Sequence, residues 1–281
     1  MIIDFHTHIF PPHVRDHRDE YVARDPTFAE MYANPNATVA TVEPLLDNMN
    51  HANVDISVAL GFAWRGHGDI VRHNDYLLEA AASSHDHIIP FTTINMADDR
   101  AEAEIARCAD AGARGLGELR PENQGWDLNG SAGDRLAADA REHDLILLFH
   151  VTEEGGHQYP GKQGCSLSSF RDFARKHPDL KIVGAHLGGD IYRTPDPPNV
   201  YVDTSAMTLL YRSAGSAWAN EMISAFSAVP ADRLLVGSDY PLRDVGEAAA
   251  PVCATFTRDE ARLHAFLRFN AASLLGLPQE P

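Results

Sequence analysis

A chain of 281 residues that is 44% hydrophobic and 22% charged can bury a full core, and its length suits one large α/β domain as well as two small ones. Its formal charge of −17, from 23 basic and 40 acidic side chains, repels polyanions and argues against nucleic-acid backbones or anionic membranes as partners. Cys108, Cys165 and Cys253 lie far apart with no CxxC pair, a pattern that suggests neither a disulfide framework nor a thiolate zinc site.

The chain opens with Met1-Ile2-Ile3-Asp4-Phe5-His6, without a basic segment or a long apolar run, so neither a signal peptide nor a membrane span is expected and a cytoplasmic location is the default. The first apolar run, 2–9 (IIDFHTHI), reads as a strand. The long polar stretch 9–40 follows, where Pro11, Pro12, Pro26 and Pro35 prevent a continuous helix; it is expected to be either a lid over the active face or a disordered surface insertion. A helix over 41–52 starts at Thr41, with Pro44 tolerated in its first turn. Strand 54–62, helix 70–86, strand 88–94, helix 98–111 with Gly112 as its stop, strand 113–119 and helix 131–143 come next. Strand 145–151, helix 166–177 capped by Ser166, strand 181–187, strand 199–205, helix 216–228, strand 234–239, helix 244–256 and a last helix 258–275 capped by Thr257 complete the chain.

The strands are near-continuous apolar runs, as in parallel sheets covered on both faces. Strand and helix alternate without a composition break, so a single α/β domain over 1–281, an eight-stranded (β/α)8 TIM barrel, is the expected fold. The competing doubly wound sheet usually carries a Gly-rich phosphate loop after its first strand, where this chain has His-Thr-His-Ile-Phe-Pro-Pro.

Position sorts the 15 histidines. His51, His85, His87, His143, His177 and His264 fall in or at the ends of predicted helices and are given no catalytic role. His6 and His8 stand two apart on a strand, so alternation points both imidazoles to one face. Burying them unpaired costs on the order of 1–3 kcal/mol each, a cost that a metal ion offsets. His150, His186 and Asp239 end three further strands, at the face where barrel active sites form. Imidazoles with one carboxylate and a position left for water describe a catalytic zinc site. Glu118, ending the fourth strand, either bridges two metals or pairs with a cation such as Arg120. The Arg120 guanidinium suits a substrate carboxylate equally well.

The motifs Ile3-Asp4-Phe5-His6-Thr7-His8, Phe149-His150, Ala185-His186-Leu187-Gly188-Gly189, Tyr201-Val202-Asp203-Thr204-Ser205, Gly237-Ser238-Asp239-Tyr240-Pro241 and Asn270-Ala271-Ala272 span nearly the whole chain. Together they resemble the amidohydrolase superfamily, in its amidohydrolase-related branch that includes aminocarboxymuconate-semialdehyde decarboxylase-like enzymes. The resemblance implies that His6, His8, His150 and Asp239 ligate a divalent metal, commonly zinc with manganese as the alternative. It implies that His186 is an acid/base group beside one metal or a ligand where there are two. Many binuclear relatives carry a carbamylated lysine on strand four; Glu118 stands there instead, which resembles the carboxylate-bridged TatD-like hydrolases.

The expected reaction is hydrolysis of an amide, lactone or ester carbonyl of a small molecule by a metal-activated water, with Asp239 taking a proton and His186 polarising the carbonyl or assisting the leaving group. Non-oxidative decarboxylation of a carboxylated ring or enol is the alternative, and a non-catalytic metal-binding barrel the further one. Arg120 and Arg193 are candidates for a substrate carboxylate. Trp64, Arg65, Trp126, His157, Tyr192 and Tyr211 are candidates for a planar ring. A homodimer is a reasonable expectation for a soluble enzyme.

Overall fold

The computed structural model describes residues 1–152, 160–189, 191, 197–206 and 223–278. Strands β1 (Ile3–His8), β2 (Ile56–Leu60), β3 (Ile88–Thr92), β4 (Gly115–Leu119), β5 (Ile146–Phe149), β6 (Ile182–Gly184), β7 (Val200–Asp203) and β8 (Leu234–Leu235) form one parallel sheet in sequential order. The chain after β8 pairs with β1: Phe5 N–H donates to Val236 O, and His8 N–H to Tyr240 O, each at 2.7 Å. The sheet thereby closes into the (β/α)8 barrel expected from the alternation of elements.

Helices α4 (Val42–Ala52), α5 (His67–Ser83), α6 (Ala101–Asp110), α7 (Pro121–Gln124), α8 (Ser131–Glu142) and α9 (Leu167–Lys176) lie between strands. Ser166 caps α9, its Oγ accepting from the Ser169 N–H, and Gly112 follows α6 with φ +103°. Most predicted strands and helices are longer than the observed elements, and the helix ends differ in these ways as well. Helix α5 begins at His67, after Gly66, and ends at Ser83. The last helix is capped by the Asp259 carboxylate, which takes the Arg262 N–H, and not by Thr257. That helix also passes through a π turn at Ala265–Phe269 before its final segment Asn270–Leu275. Of the helix expected over 216–228, residues 223–228 are helical and the first part lies outside the described residues. Among the described residues no helix is long and apolar enough to cross a membrane.

Alternation along the strands separates two cores. Leu147 and Phe149 of β5 face outward onto Phe170 and Phe173 of α9, with Phe149 and Phe170 rings 5.8 Å apart. Ile146 and Leu148 face the barrel interior with Ile3, Phe5, Leu60 and Phe91, where Leu274 and Leu275 of the C-terminal helix also pack. Continued one step, the same alternation turns His150 inward. On β1 the pairing register shifts between Asp4 and Thr7, and beyond the shift His6 and His8 take the inward positions. The Asp4 carboxylate stitches this seam, accepting from Ser238 Oγ (2.6 Å) and Ser238 N–H (3.0 Å).

The insertion 9–40 is folded, not an irregular loop. It holds α1 (Pro12–Asp16), α2 (Arg18–Arg24) and α3 (Pro26–Tyr32). Pro12 and Pro26 open α1 and α3, where the missing N–H has no intrahelical partner to lose. Asp25 caps α3 by accepting from Thr27 and Phe28 N–H and also takes the Arg65 N–H. Phe10, Tyr21, Phe28, Tyr32, Phe62 and Trp64 form the insertion's own aromatic core.

His73 of α5 anchors this core. Its Nε2 donates to Ile9 O (2.7 Å), its Nδ1 accepts from Trp64 Nε1 (2.9 Å), and its ring stacks on Phe10. Burial lowers the His73 pKa to about 4. A folded-state pKa below the unfolded value means that the unfolded chain binds the extra proton between the two. This contribution is therefore complete above about pH 6.5 and is lost as pH falls toward 4, by about 3 kcal/mol for the full shift. Thermal melts across that range should show the loss in the wild type and a shallower slope in His73→Gln; identical slopes would remove His73 as the cause.

Candidate active site

The C-terminal strand ends bring together six side chains in two groups, His6, His8 and Asp239 in one and Glu118, His150 and His186 in the other. In the first, His6 Nε2 and His8 Nε2 are 3.1 Å apart, and each lies 3.6 Å from Asp239 Oδ1. In the second, His150 Nδ1 lies 2.8 Å from Glu118 Oε1 and 3.1 Å from His186 Nε2, which is itself 3.4 Å from Glu118 Oε1. Glu118 stands between the groups: its Oε2 is 3.7 Å from His8 Nε2 and its Oε1 3.8 Å from His6 Nε2. The ion pair of Glu118 with Arg120 that the sequence left open does not form; Arg120 pairs with Glu30 at 3.3 Å.

Donor atoms on one ion at a ligand distance of about 2.0–2.1 Å lie roughly 3.3 Å apart in tetrahedral geometry. The spacings in both groups match that value. The nitrogens that do not face the site are bound in ways that orient three of the rings. His6 Nδ1 meets Asp203 Oδ2 at 2.9 Å, His186 Nδ1 meets Ser205 O at 3.0 Å, and His150 Nε2 meets Gly161 O at 2.8 Å. Such outer contacts fix tautomer and ring angle in metal-binding histidines. His8 Nδ1 is buried without a hydrogen-bond partner among the described residues.

The electrostatics show a site short of positive charge. Burial alone would lower the His6 imidazole, but Asp203, Glu118 and Asp239 outweigh it and raise its pKa to about 10. Burial likewise opposes ionisation of Glu118, yet His150, His186 and His6 hold its carboxyl well below the usual range. Burial and the neighbouring His6 push His8 down to about 4. Carboxylates kept ionised in a buried nest that traps protons on imidazoles are the donor set that a divalent cation fits.

The backbone is shaped for these positions. His186 and Asp239 both adopt left-handed conformations, with φ +57° and +61°. Non-glycine residues held there cost of order 1–3 kcal/mol each and cluster at functional sites. The Asp239 N–H donates to His6 O (2.9 Å), which ties the carboxylate directly to the His6 strand.

A cavity of about 270 Å³ opens above the site, with His8, Glu118, His150, His186 and Asp239 in its lining and His6 buried beneath. Its walls include Tyr32 and Met31 of α3, Phe62 after β2, Arg120 after β4 and Leu242 after β8. The structure corrects two ring candidates: Trp64 does not line the cavity, being 1% exposed in the insertion core, and Trp126 is buried against the helices. Arg65 is exposed on the surface. Arg193, His157, Tyr192 and Tyr211 lie outside the described residues. The sequence reading missed Asp203 as the partner of His6, although a carboxylate toward the C-terminal end of the predicted strand 199–205 was the signal. Tyr32 was missed as well, and nothing in a Pro-broken polar segment marks it.

A sequence profile of the amidohydrolase family matches residues 3–277. No curated protein sequence matches the chain. Among solved structures, 5-carboxyvanillate decarboxylase from Sphingomonas paucimobilis aligns over 99% of both chains with TM-score 0.75 and 14% identity. A dihydroxybenzoic acid decarboxylase from Polaromonas, with bound manganese and the inhibitor 2-nitroresorcinol, covers 98% of this chain and 96% of its own, with TM-score 0.70 and 17% identity. A protein assigned as a 2-pyrone-4,6-dicarboxylic acid hydrolase, from Pseudomonas putida, covers 99% and 98% with TM-score 0.70 and 19% identity. With its eight-stranded barrel, its two donor groups at the strand ends and this match over nearly the whole length, the chain is an enzyme and belongs to the amidohydrolase family.

Proposed function

We propose that the chain hydrolyses an amide, lactone or ester carbonyl in a small molecule that carries an acidic group, using divalent cations held by His6, His8 and Asp239 and by Glu118, His150 and His186. The observation that carries this reading is that Glu118, a member of the second donor group, also lies within 3.8 Å of His6 and His8 of the first, where its carboxylate would serve both ions. Zinc suits the imidazole-rich donors, and the manganese bound by the dihydroxybenzoic acid decarboxylase makes that ion the alternative. When bound, the cation supplies Lewis-acid activation of the attacking water and of the carbonyl.

The chain's own residues do the rest. Asp239, at the cavity floor, accepts the proton of the attacking water and delivers it to the leaving group. Arg120 lines the cavity, and its Nη1 has no partner among the described residues, so it is placed to pair with a substrate carboxylate. The insertion 9–40 acts as a cap: Met31 and Tyr32 complete the wall, and the aromatic core beneath them holds that wall in place.

Decarboxylation of a carboxylated ring is the second reading, favoured by the two decarboxylases of the same fold. With only the first donor group filled, His186, which lines the cavity, is the imidazole that would protonate the ring carbon. Turnover of pyrone lactones and hydroxybenzoates in ¹⁸O-labelled water separates the two. Label in the product without carbon dioxide release is the result expected here; carbon dioxide release with no label incorporated would replace hydrolysis with decarboxylation.

A further inference from the structure

The segment 160–165 is built around the His150 ring. The Cys165 N–H donates to His150 O (2.8 Å), and Val151 and Cys165 form a parallel bridge. A Cβ on Gly164 would lie 2.3 Å from His150 Cδ2, so the Gly164 backbone rests against the imidazole. The Gly161 carbonyl takes the His150 Nε2 proton at 2.8 Å. With Nε2 committed to the Gly161 carbonyl, Nδ1 is the atom left to face Glu118 and His186, and a cation binding there displaces the proton that Nδ1 shares with the Glu118 carboxylate.

The Gly161 peptide is in turn held from the insertion. Its N–H donates to Glu30 Oε1 at 3.0 Å, and its carbonyl also accepts from Arg120 Nη2 at 3.1 Å. Glu30 Oε2 then accepts from Arg120 Nη2 (3.3 Å) and from Asn123 Nδ2 (3.2 Å). Gly161 has φ +87°, and a Cβ there would meet Met31 Sδ at 2.2 Å, so α3 sits directly on this peptide.

We propose that Glu30 is a positioning residue for the metal centre: by holding the Gly161 peptide, directly and through Arg120, it fixes the His150 tautomer and the aim of Nδ1. The inference rests on the reading of His150 as a cation donor. The second donor group is then completed by the insertion as well as by the barrel. Without the Glu30 carboxylate, the Gly161 N–H loses its acceptor and Arg120 loses its counter-charge, so the carbonyl that orients His150 is no longer fixed. Removing an outer partner of a metal ligand typically costs about 10–100-fold in metal affinity.

The test compares full-length wild type, Glu30→Ala and Glu30→Gln by three measurements: zinc affinity in competition with a chromogenic chelator, imidazole ¹⁵N shifts of the metal-free protein, and melting temperature. Glu30→Ala should bind zinc about tenfold or more weakly, and its His150 Nε2 should pass from fully to partly protonated as the Gly161 carbonyl is released. Glu30→Gln, whose amide oxygen still accepts from Gly161 or Arg120, should lose less, and it decides the matter if the alanine variant does not fold. A lower melting temperature with unchanged affinity and tautomer would make Glu30 a fold-stabilising residue only and overturn the proposal. Wild type that binds no zinc would instead overturn the cation reading, and the His150 tautomer alone would then decide the role of Glu30.

Discussion

Asp239→Asn is expected to lose between about a hundredfold and ten-thousandfold in kcat, the range over which a positioned general base acts, while the fold survives. Asparagine is nearly isosteric and tolerates the left-handed conformation that Asp239 adopts at φ +61°, so the backbone has no reason to move. The N–H bond to His6 O and the Leu242 N–H bond to Asp239 O (2.7 Å) both involve main chain and persist in the variant. What disappears is the negative oxygen 3.6 Å from both His6 Nε2 and His8 Nε2. Two imidazoles remain in the first group, so some metal should be retained. Steady-state kinetics with metal analysis of the same preparation checks this. An unimpaired variant would remove Asp239 from the mechanism.

Glu118→Gln is the second large effect. The side chain belongs to an 8% exposed residue, and its carboxylate lies close to His6 and His8 of one set and His150 of the other. Glutamine keeps the volume but replaces one oxygen with an N–H₂ group that cannot ligate, and that group must face either His8 or the His150–His186 pair. Removing the charge also leaves fewer carboxylates to offset two divalent ions in a buried site. Metal content should drop by about one equivalent per chain, and turnover by about two orders of magnitude, the scale on which loss of one electrostatic stabiliser of a transition state acts. Full activity with undiminished metal would make Glu118 a structural acid.

The sequence made the barrel and its active face legible because strand alternation is a strong signal. His6 and His8 two apart, with His150 and Asp239 at the ends of apolar runs, needed only that rule and the direction of parallel strands to converge. Other features depend on contacts that no local pattern encodes. His73 looks like any helical histidine until Ile9, Trp64 and Phe10 are seen around it. The helices of 9–40 are five to seven residues long, too short to show a periodic apolar stripe, and their aromatic residues find partners as far away as Phe62 and Trp64. Trp64 was read as a ring platform because it follows a strand end, yet its indole N–H is spent on His73 and its ring on Phe28, 5.0 Å away. The shift in register on β1 likewise arises from pairing with β2, not from the IDFHTH sequence itself.

Elemental analysis by inductively coupled plasma mass spectrometry tests the central claim most directly. It should be run on protein purified without chelator or metal-affinity resin, beside Glu118→Gln and a His6→Ala/His8→Ala double variant. About two equivalents of zinc or manganese in the wild type, about one in Glu118→Gln, and loss of the His6–His8 ion from the double variant is the predicted pattern for a two-ion site. No metal in the wild type, and none taken up when zinc or manganese is supplied, would contradict it.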